Sequence, residues 1–259
     1  MAELDGGPAD AAALEALGLV NYGHFTSMRV DEQHVRGLSH HLQRLVNDCR
    51  TVFDASLDRD HVRALIRQAV GHIEGSFVAR VTVFDPELSL GQPSGVAHPL
   101  PLVTTRPAGA IPASALRVQA VPYTRDLPTV KHVGLFGSIA ARRQAQESGY
   151  DDALFIDGRG FITEGATWNV GFFDGSRVIW PSEPVLPGVT MTLLKQVHES
   201  TVSARVNVRD LPQMEAAFAT NTTVGVRPIR SIDTVEFAAD HPVLEALLKE
   251  YAEIPAEQL

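Results

Sequence analysis

The apolar pattern of this chain changes character once, and that change decides which folds are open to it. Up to about residue 105, strand-like runs alternate with helical spacing. Gly23-His-Phe-Thr-Ser-Met-Arg-Val30 reads as a strand, followed by a turn at Asp31-Glu-Gln. Leu38, Leu42, Leu45, Val46, Cys49 and Phe53 predict a helix over roughly 39–54, with Ser39 as its N-cap. Val62, Leu65, Ile66, Val70 and Ile73 predict a second helix. Phe77–Phe84 is a β-rich run closed by Asp85-Pro86. Residues 86–99 read as a loop, and Leu100–Thr105 as a short strand. Arg106-Pro-Ala-Gly-Ala-Ile-Pro112 is the linker candidate. Beyond it the chain becomes mainly β, with strands expected at 115–121, 153–157, 160–163, 168–173 and 177–180. Helices are expected at 134–148, 189–199 and 241–251. Asp157-Gly and Asp174-Gly mark hairpin turns. The expected organisation is an N-terminal α/β domain over 1–105, a linker over 106–112 and a C-terminal domain over 113–259.

At 259 residues the chain can bury a core in each part. Its net charge of −9 gives no support to a nucleic-acid or anionic-membrane partner. The single cysteine, Cys49, excludes an internal disulfide framework. Met1–Asp10 carries acids and no apolar core, so no secretory signal is expected there. No apolar run is long enough to span a bilayer. The expected setting is cytoplasmic.

One number in the composition points at chemistry. Of the 22 basic residues only Lys131, Lys195 and Lys249 are lysines. A chain that uses arginine for most positive charges keeps a lysine where a deprotonatable amine is needed, or by chance. Lys195 and Lys249 fall at polar positions of amphipathic helices, where chance is the better reading. Lys131 lies in Pro128-Thr-Val-Lys-His-Val-Gly-Leu-Phe-Gly, among apolar and small neighbours. Partial desolvation there favours a nucleophile or base.

Several chemistries are disfavoured. The chain has no Gly-x-Gly-x-x-Gly opening a helix after a strand, no P-loop, no His-Glu-x-x-His and no Cys/His cluster, so no metal is expected. Gly137-Ser-Ile-Ala lacks the second glycine of a nucleophile elbow. What remains is an ordered set: Lys131, Thr163-Glu164-Gly165, Leu186-Pro-Gly-Val-Thr190 and Thr220-Asn-Thr-Thr223. Pyridoxal phosphate catalysis could use all four. It needs a lysine, a carboxylate near the ring nitrogen, and helix-start N–H groups for a phosphate.

These segments, with Phe25-Thr-Ser-Met-Arg29, His41-Leu-Gln-Arg-Leu45, Ile162-Thr-Glu-Gly-Ala-Thr-Trp-Asn169 and Phe218–Ile229, resemble the class IV aminotransferase family, the fold-type IV pyridoxal phosphate enzymes. The family includes branched-chain and D-amino acid aminotransferases and 4-amino-4-deoxychorismate lyase. The resemblance implies an α+β protein, with a small N-terminal α/β domain and a larger β-barrel-like C-terminal domain, assembled as a homodimer. It implies that Lys131 is the Schiff-base lysine, that Glu164 pairs with the pyridine nitrogen, and that Arg44 binds the cofactor phosphate. Val189, Thr190 and Thr222 match the phosphate cup, and Asn169 is structural. Helical spacing alone would leave Arg44 solvated, opposite the Leu42/Leu45/Cys49 face. Trp168 stands where small or polar residues are common, and the approach to Phe25 is short; both changes are expected on the substrate side.

Two enzyme readings share every cofactor residue. Ile162–Asn169 follows the aminotransferase form, which implies transamination between an amino acid and a keto acid. Phe25-Thr-Ser and Asn221–Pro228 lean toward 4-amino-4-deoxychorismate lyase, which would release pyruvate and 4-aminobenzoate. A third reading, a non-catalytic pyridoxal phosphate- or metabolite-binding protein on the same fold, has the retention of Lys131 and Glu164 against it. Thr26, Ser27, Arg29, Arg106 and Arg125 are candidates for the substrate. For each arginine the competing reading is an ordinary ion pair.

Overall fold

The computed structural model describes residues 2–71, 73–111 and 114–259. The chain folds as two compact units. The first takes residues 1–110 together with Val130–Gly134 and Pro255–Leu259; the second takes 111–129 and 135–254.

The first unit is a seven-stranded sheet in the order Ala256–Gln258, His34–Arg36, His24–Asp31, Ser76–Phe84, Leu100–Pro107, Ala2–Leu4 and Gly7–Pro8. Every pairing is antiparallel. Its helices are α1 (Ala11–Val20), α2 (Leu38–Phe53) and α3 (Arg59–Val70). The two-residue period of the strands separates the faces. Met28, Val30, Phe77, Ala79, Val81, Val83 and Val103 pack with Leu42, Leu45, Cys49, Val62 and Ile66 of α2 and α3. On the other face α1 brings Ala13 and Leu17 onto Phe84 and Leu102. Along the rest of that face, cross-strand registers line up Ser27 with Arg80 and Thr104, and Arg29 with Val78 and Arg106.

Three details differ from the expectations. Ser39 does not cap α2: the cap is Gly37 in the left-handed region, and the Ser39 N–H donates to Glu257 at 3.1 Å. The sheet takes in Arg106 and Pro107, which pair with Val78 and Phe77, so part of the expected linker is strand. The last linker residue, Pro112, lies outside the described residues. Finally, Val130–Gly134 joins the first unit. The Phe25 N–H donates to the Lys131 carbonyl at 2.8 Å, and the Val133 N–H to the Gly23 carbonyl at 2.9 Å. This short segment thus lies alongside the start of strand His24–Asp31.

The second unit is built on a nine-stranded mixed sheet. Its main path runs Thr201–Ala204, Val178–Pro181, Asn169–Phe173, Ala216–Asn221, Gly225–Ile232, Leu116–Pro122, Asp152–Ile156 and Ile162–Gly165. The sheet curls round one core of Leu116, Val118, Leu154, Ile162, Val170, Phe172, Ile179, Ala217, Ala219 and Ile229. Alternate residues of the same strands face outward onto helices. Val178, Trp180, Ala216 and Phe218 pack with α5 (Val189–Val197) and α6 (Pro242–Glu253). Val121, Ala153 and Phe155 pack with Ala141 and Ala145 of α4 (Phe136–Glu147). This is the mixed α+β architecture that was expected. No helix among the described residues is long and apolar enough to cross a membrane.

Candidate active site

In the first unit the site residues gather around Lys131. Lys131 is half-buried, whereas Lys195 and Lys249 are exposed. Its backbone is held on both sides: its N–H donates to Asp48 Oδ2 at 3.0 Å, and its carbonyl accepts from Phe25. Its Nζ stands 4.8 Å from the Phe25 ring centroid. The guanidinium of Arg80 lies on the same ring at 3.7 Å, a cation–π arrangement. Arg80 Nε donates to Thr82 Oγ1 at 3.1 Å. Burial lowers the Arg80 pKa below the usual arginine range. Among the described residues it forms no ion pair with a carboxylate, so its guanidinium lies on the Phe25 ring without an anionic partner.

Helix α2 supplies three polar groups at positions 41, 44 and 48. The i, i+3, i+7 spacing places them on one stripe of the helix. Asp48 and His41 are buried and Arg44 is half-buried, so the solvated reading of Arg44 does not hold. His41 Nδ1 lies 2.6 Å from Thr26 Oγ1, and His41 Nε2 is buried with no hydrogen-bond partner. Burial, then the charges of Arg44, Lys131 and His40, hold the His41 pKa well below the usual histidine value. Thr26 shares the helix-facing side of its strand with Met28 and Val30, and its hydroxyl serves His41. Ser27 lies on the opposite, Arg80 side. Arg29 pairs with Asp31 at 3.0 Å, and Arg106 is exposed.

In the second unit one motif builds the site. Glu164 is the third residue of strand Ile162–Gly165 and is 5% exposed. Its Oε1 accepts from Arg125 Nη1 at 2.9 Å and its Oε2 from the Leu186 N–H at 3.3 Å. Asn169, five residues on, donates from Nδ2 to the Leu186 carbonyl at 2.8 Å. The two ends of Glu-Gly-x-x-x-Asn thus hold both polar groups of Leu186. That fixes the loop entering α5. Gly188 is required there, since a Cβ would lie 1.9 Å from Asn169 Oδ1. No side chain caps α5, whose first residues are Val189 and Thr190. Helix-start N–H groups without a side-chain cap suit a phosphate. Thr190 is buried, with its hydroxyl 3.5 Å from Tyr251, and Thr222 is half-buried beyond strand Ala216–Asn221.

Trp168 belongs to the barrel core and is 6% exposed. Its indole N–H donates to Asp152 at 2.9 Å, and its ring occupies the place of a Gly165 Cβ, which would come within 2.0 Å. The bulky residue is therefore paired with the glycine of the same motif and serves packing.

Sequence reasoning passed over Asp48 and Arg80. For Asp48 the signal was available in the spacing 41, 44, 48. Arg80 had a weaker one, a lone charge within the run Phe77–Phe84. Among the described residues no group of His, Cys, Asp and Glu could hold a metal.

Residues 23–232 match the family described as amino-transferase class IV, and the chain belongs to that family of transaminases. It is 23% identical over 227 residues to a candidate branched-chain-amino-acid aminotransferase of Methanocaldococcus jannaschii, covering 82% of this chain and 78% of that one. A branched-chain aminotransferase structure from Thermoproteus uzoniensis aligns with a TM-score of 0.85 at 18% identity, over 97% of this chain and 93% of that one. A candidate 4-amino-4-deoxychorismate lyase of Legionella pneumophila aligns with a TM-score of 0.79 at 23% identity, over 92% and 93%.

Proposed function

We propose that this aminotransferase works with pyridoxal phosphate on an amino acid and keto acid pair, with Lys131 as its reactive amine and Glu164 as the partner of the ring nitrogen. The observation that carries this is Lys131 itself. It is the one half-buried lysine of three, clamped through its backbone by Asp48 and Phe25, with cations Arg44 and Arg80 in the same unit.

The residues fit the cofactor. His41 Nε2 is a buried polar atom without a partner on the stripe that bears Arg44. The start of α5 has no side-chain cap, and the loop before it leaves no room for a Cβ at Gly188. Arg44, the N–H groups of Val189 and Thr190, and Thr222 would hold the phosphate. Bound there, the cofactor supplies an aldehyde for an amino group and a ring that withdraws electrons from the substrate carbon. Lys131 would anchor it and carry the proton removed from that carbon. Glu164, kept ionised by its neighbours, would hold the ring nitrogen in its protonated form. Arg80 is the favoured partner for a substrate carboxylate, since it is a partly desolvated cation on the ring that Lys131 also touches. Ser27, Arg29 and Arg106 belong to the same sheet face, and Thr26 acts through His41.

The names of relatives support a branched-chain substrate. Phe25-Thr-Ser-Met-Arg29 and the Legionella structure support the lyase as the second reading. Family likeness also supports a homodimer and a cytoplasmic setting, which sedimentation and fractionation would test. The deciding experiment gives the holoenzyme single L- and D-amino acids without a keto acid. The expected result is one keto acid per site, with the cofactor left aminated. Repeated release of pyruvate from 4-amino-4-deoxychorismate, with no aminated cofactor, would replace transamination by the lyase reading. Silence toward both substrate classes would leave a binding protein.

A further inference from the structure

Arg125 stands six residues before Lys131 in sequence, and its guanidinium makes two hydrogen bonds within the second unit. It donates to Glu164 Oε1 at 2.9 Å and to the Pro128 carbonyl at 3.2 Å. The side chains of Arg125 and Glu164 are each 7% exposed. A carboxylate so buried would take up a proton if it stood alone, because desolvation penalises its charged form. A guanidinium in hydrogen-bond contact reverses that preference. The pair is also oriented. Arg125 engages one oxygen of Glu164 and the Leu186 N–H the other, so the plane of the carboxylate is set from two sides.

We propose that Arg125 is a positioning residue: it keeps Glu164 ionised and fixes its orientation toward the cofactor ring nitrogen, and it does not bind the substrate carboxylate. This rests on the assignment of Glu164 to that nitrogen. A buried ion pair is a poor source of net stability, since replacing both partners by apolar groups is often neutral. A wholly structural role would therefore give little return for this pair. A role in setting the charge of Glu164 needs both members together.

The test compares wild type with Glu164→Gln, Arg125→Met, Arg125→Lys and the double variant Arg125→Met/Glu164→Gln. Apo-protein is titrated with pyridoxal phosphate, and the affinity and the absorption band of the bound cofactor are recorded. Melting temperatures of the apo-proteins and kcat and KM for the amino donor complete the set. Arg125→Met is expected to shift the band in the same sense as Glu164→Gln and to lower kcat about tenfold or more, a coupling size usual for contacting residues. The KM for the donor should change little. The double variant should be no worse than the poorer single one, and Arg125→Lys should restore part of the band.

Independent, multiplicative losses in the double variant would overturn the proposal. So would a raised donor KM with an unchanged band, which would make Arg125 a substrate contact. A lowered melting temperature with wild-type band and kcat would leave it purely structural. If Arg125→Met does not fold, Arg125→Lys and Arg125→Gln decide: a wild-type band in the uncharged variant overturns the proposal. A wild-type band and rate in Glu164→Gln would instead remove the ring-nitrogen assignment on which the proposal stands.

Discussion

In the first unit the groups assigned to the reaction are held mostly through backbone and ring faces, and their charges have one sign. Lys131 is fixed by two main-chain hydrogen bonds and stands over Phe25 together with Arg80, while Arg44 lies on the stripe of α2 that also bears His41. The second unit does the reverse. Its buried Glu164 has both oxygens bonded, and Asn169 closes the same loop from the other side. The difference teaches where binding free energy comes from. Partly desolvated cations such as Arg80 and unpartnered nitrogens such as His41 Nε2 gain when an anion arrives. A network already satisfied gains little and instead holds its geometry. The first unit should therefore respond strongly in chemistry, and weakly in stability, to loss of its reactive group. The second should respond in both at once.

The largest expected effect breaks the first half of that contrast. Lys131→Ala should abolish the half-reaction, since Lys195 and Lys249 are exposed and remote in role. Its stability should change by less than about 1 kcal/mol, because the residue is only half-buried and its two backbone hydrogen bonds survive the substitution. Borohydride trapping followed by peptide mapping gives an independent reading: the label should sit on Lys131. A label on Lys195 or Lys249, or an unfolded Lys131→Ala protein, would refute the comparison.

A smaller effect is expected in the second unit. Gly188→Ala would push a Cβ to 1.9 Å from Asn169 Oδ1, so the loop or the asparagine must move. Overpacking of this kind costs about 1–3 kcal/mol. Because the same loop opens α5, cofactor affinity and thermal stability should fall together. Gly158→Ala is the control, since a Cβ there meets nothing within 4 Å. Adding Asn169→Ala to Gly188→Ala should recover part of the lost stability but not the affinity. Recovery of both would mean that the loop does not serve the phosphate.

How far the sequence foretold this molecule depends on how local each signal was. Phe77–Phe84 and the apolar spacing of α2 and α3 are local patterns, and the structure has a strand and two helices there within a few residues. Helix α1 was missed because Ala-Ala-Ala-Leu-Glu-Ala-Leu-Gly-Leu-Val has few polar residues and so almost no polar face to reveal a period. Strand Ala256–Gln258 is three residues long and exists because of its partner His34–Arg36, far away in sequence. The same holds for the site. Glu164 and Asn169 belong to one motif, and their spacing was legible. The link from Asp48 to Lys131 spans 83 positions, and that from Arg125 to Glu164 spans 39, so neither leaves a local mark. The packing of Trp168 on Gly165 left no mark either, because the glycine's role appears only when the indole is seen on it.

The smallest expected effect sharpens the contrast through pH. His24 is fully buried in the first unit, near Phe53, and neither ring nitrogen has a hydrogen-bond partner. Burial lowers its pKa to about 4, and His41 is displaced in the same direction. Both must fold neutral. In the unfolded chain each would take up a proton near pH 6.5, so between that pH and the folded value the unfolded state binds more protons. Stability from this source is therefore complete above about pH 6.5 and falls as pH drops toward 4. For His24 alone the linkage amounts to about 2 kcal/mol by pH 5. In the second unit Asp157 and Asp174 are lowered carboxylates, which weaken the fold only when pH falls below about 3.8. Hydrogen exchange followed separately in the two units should show the first loosening between pH 6.5 and 4 while the second holds. His24→Leu should flatten that slope, because an apolar side chain removes the titrating group and leaves no unpaired nitrogen. An unchanged slope in His24→Leu, or loosening of both units together, would show that the acid response does not come from this histidine.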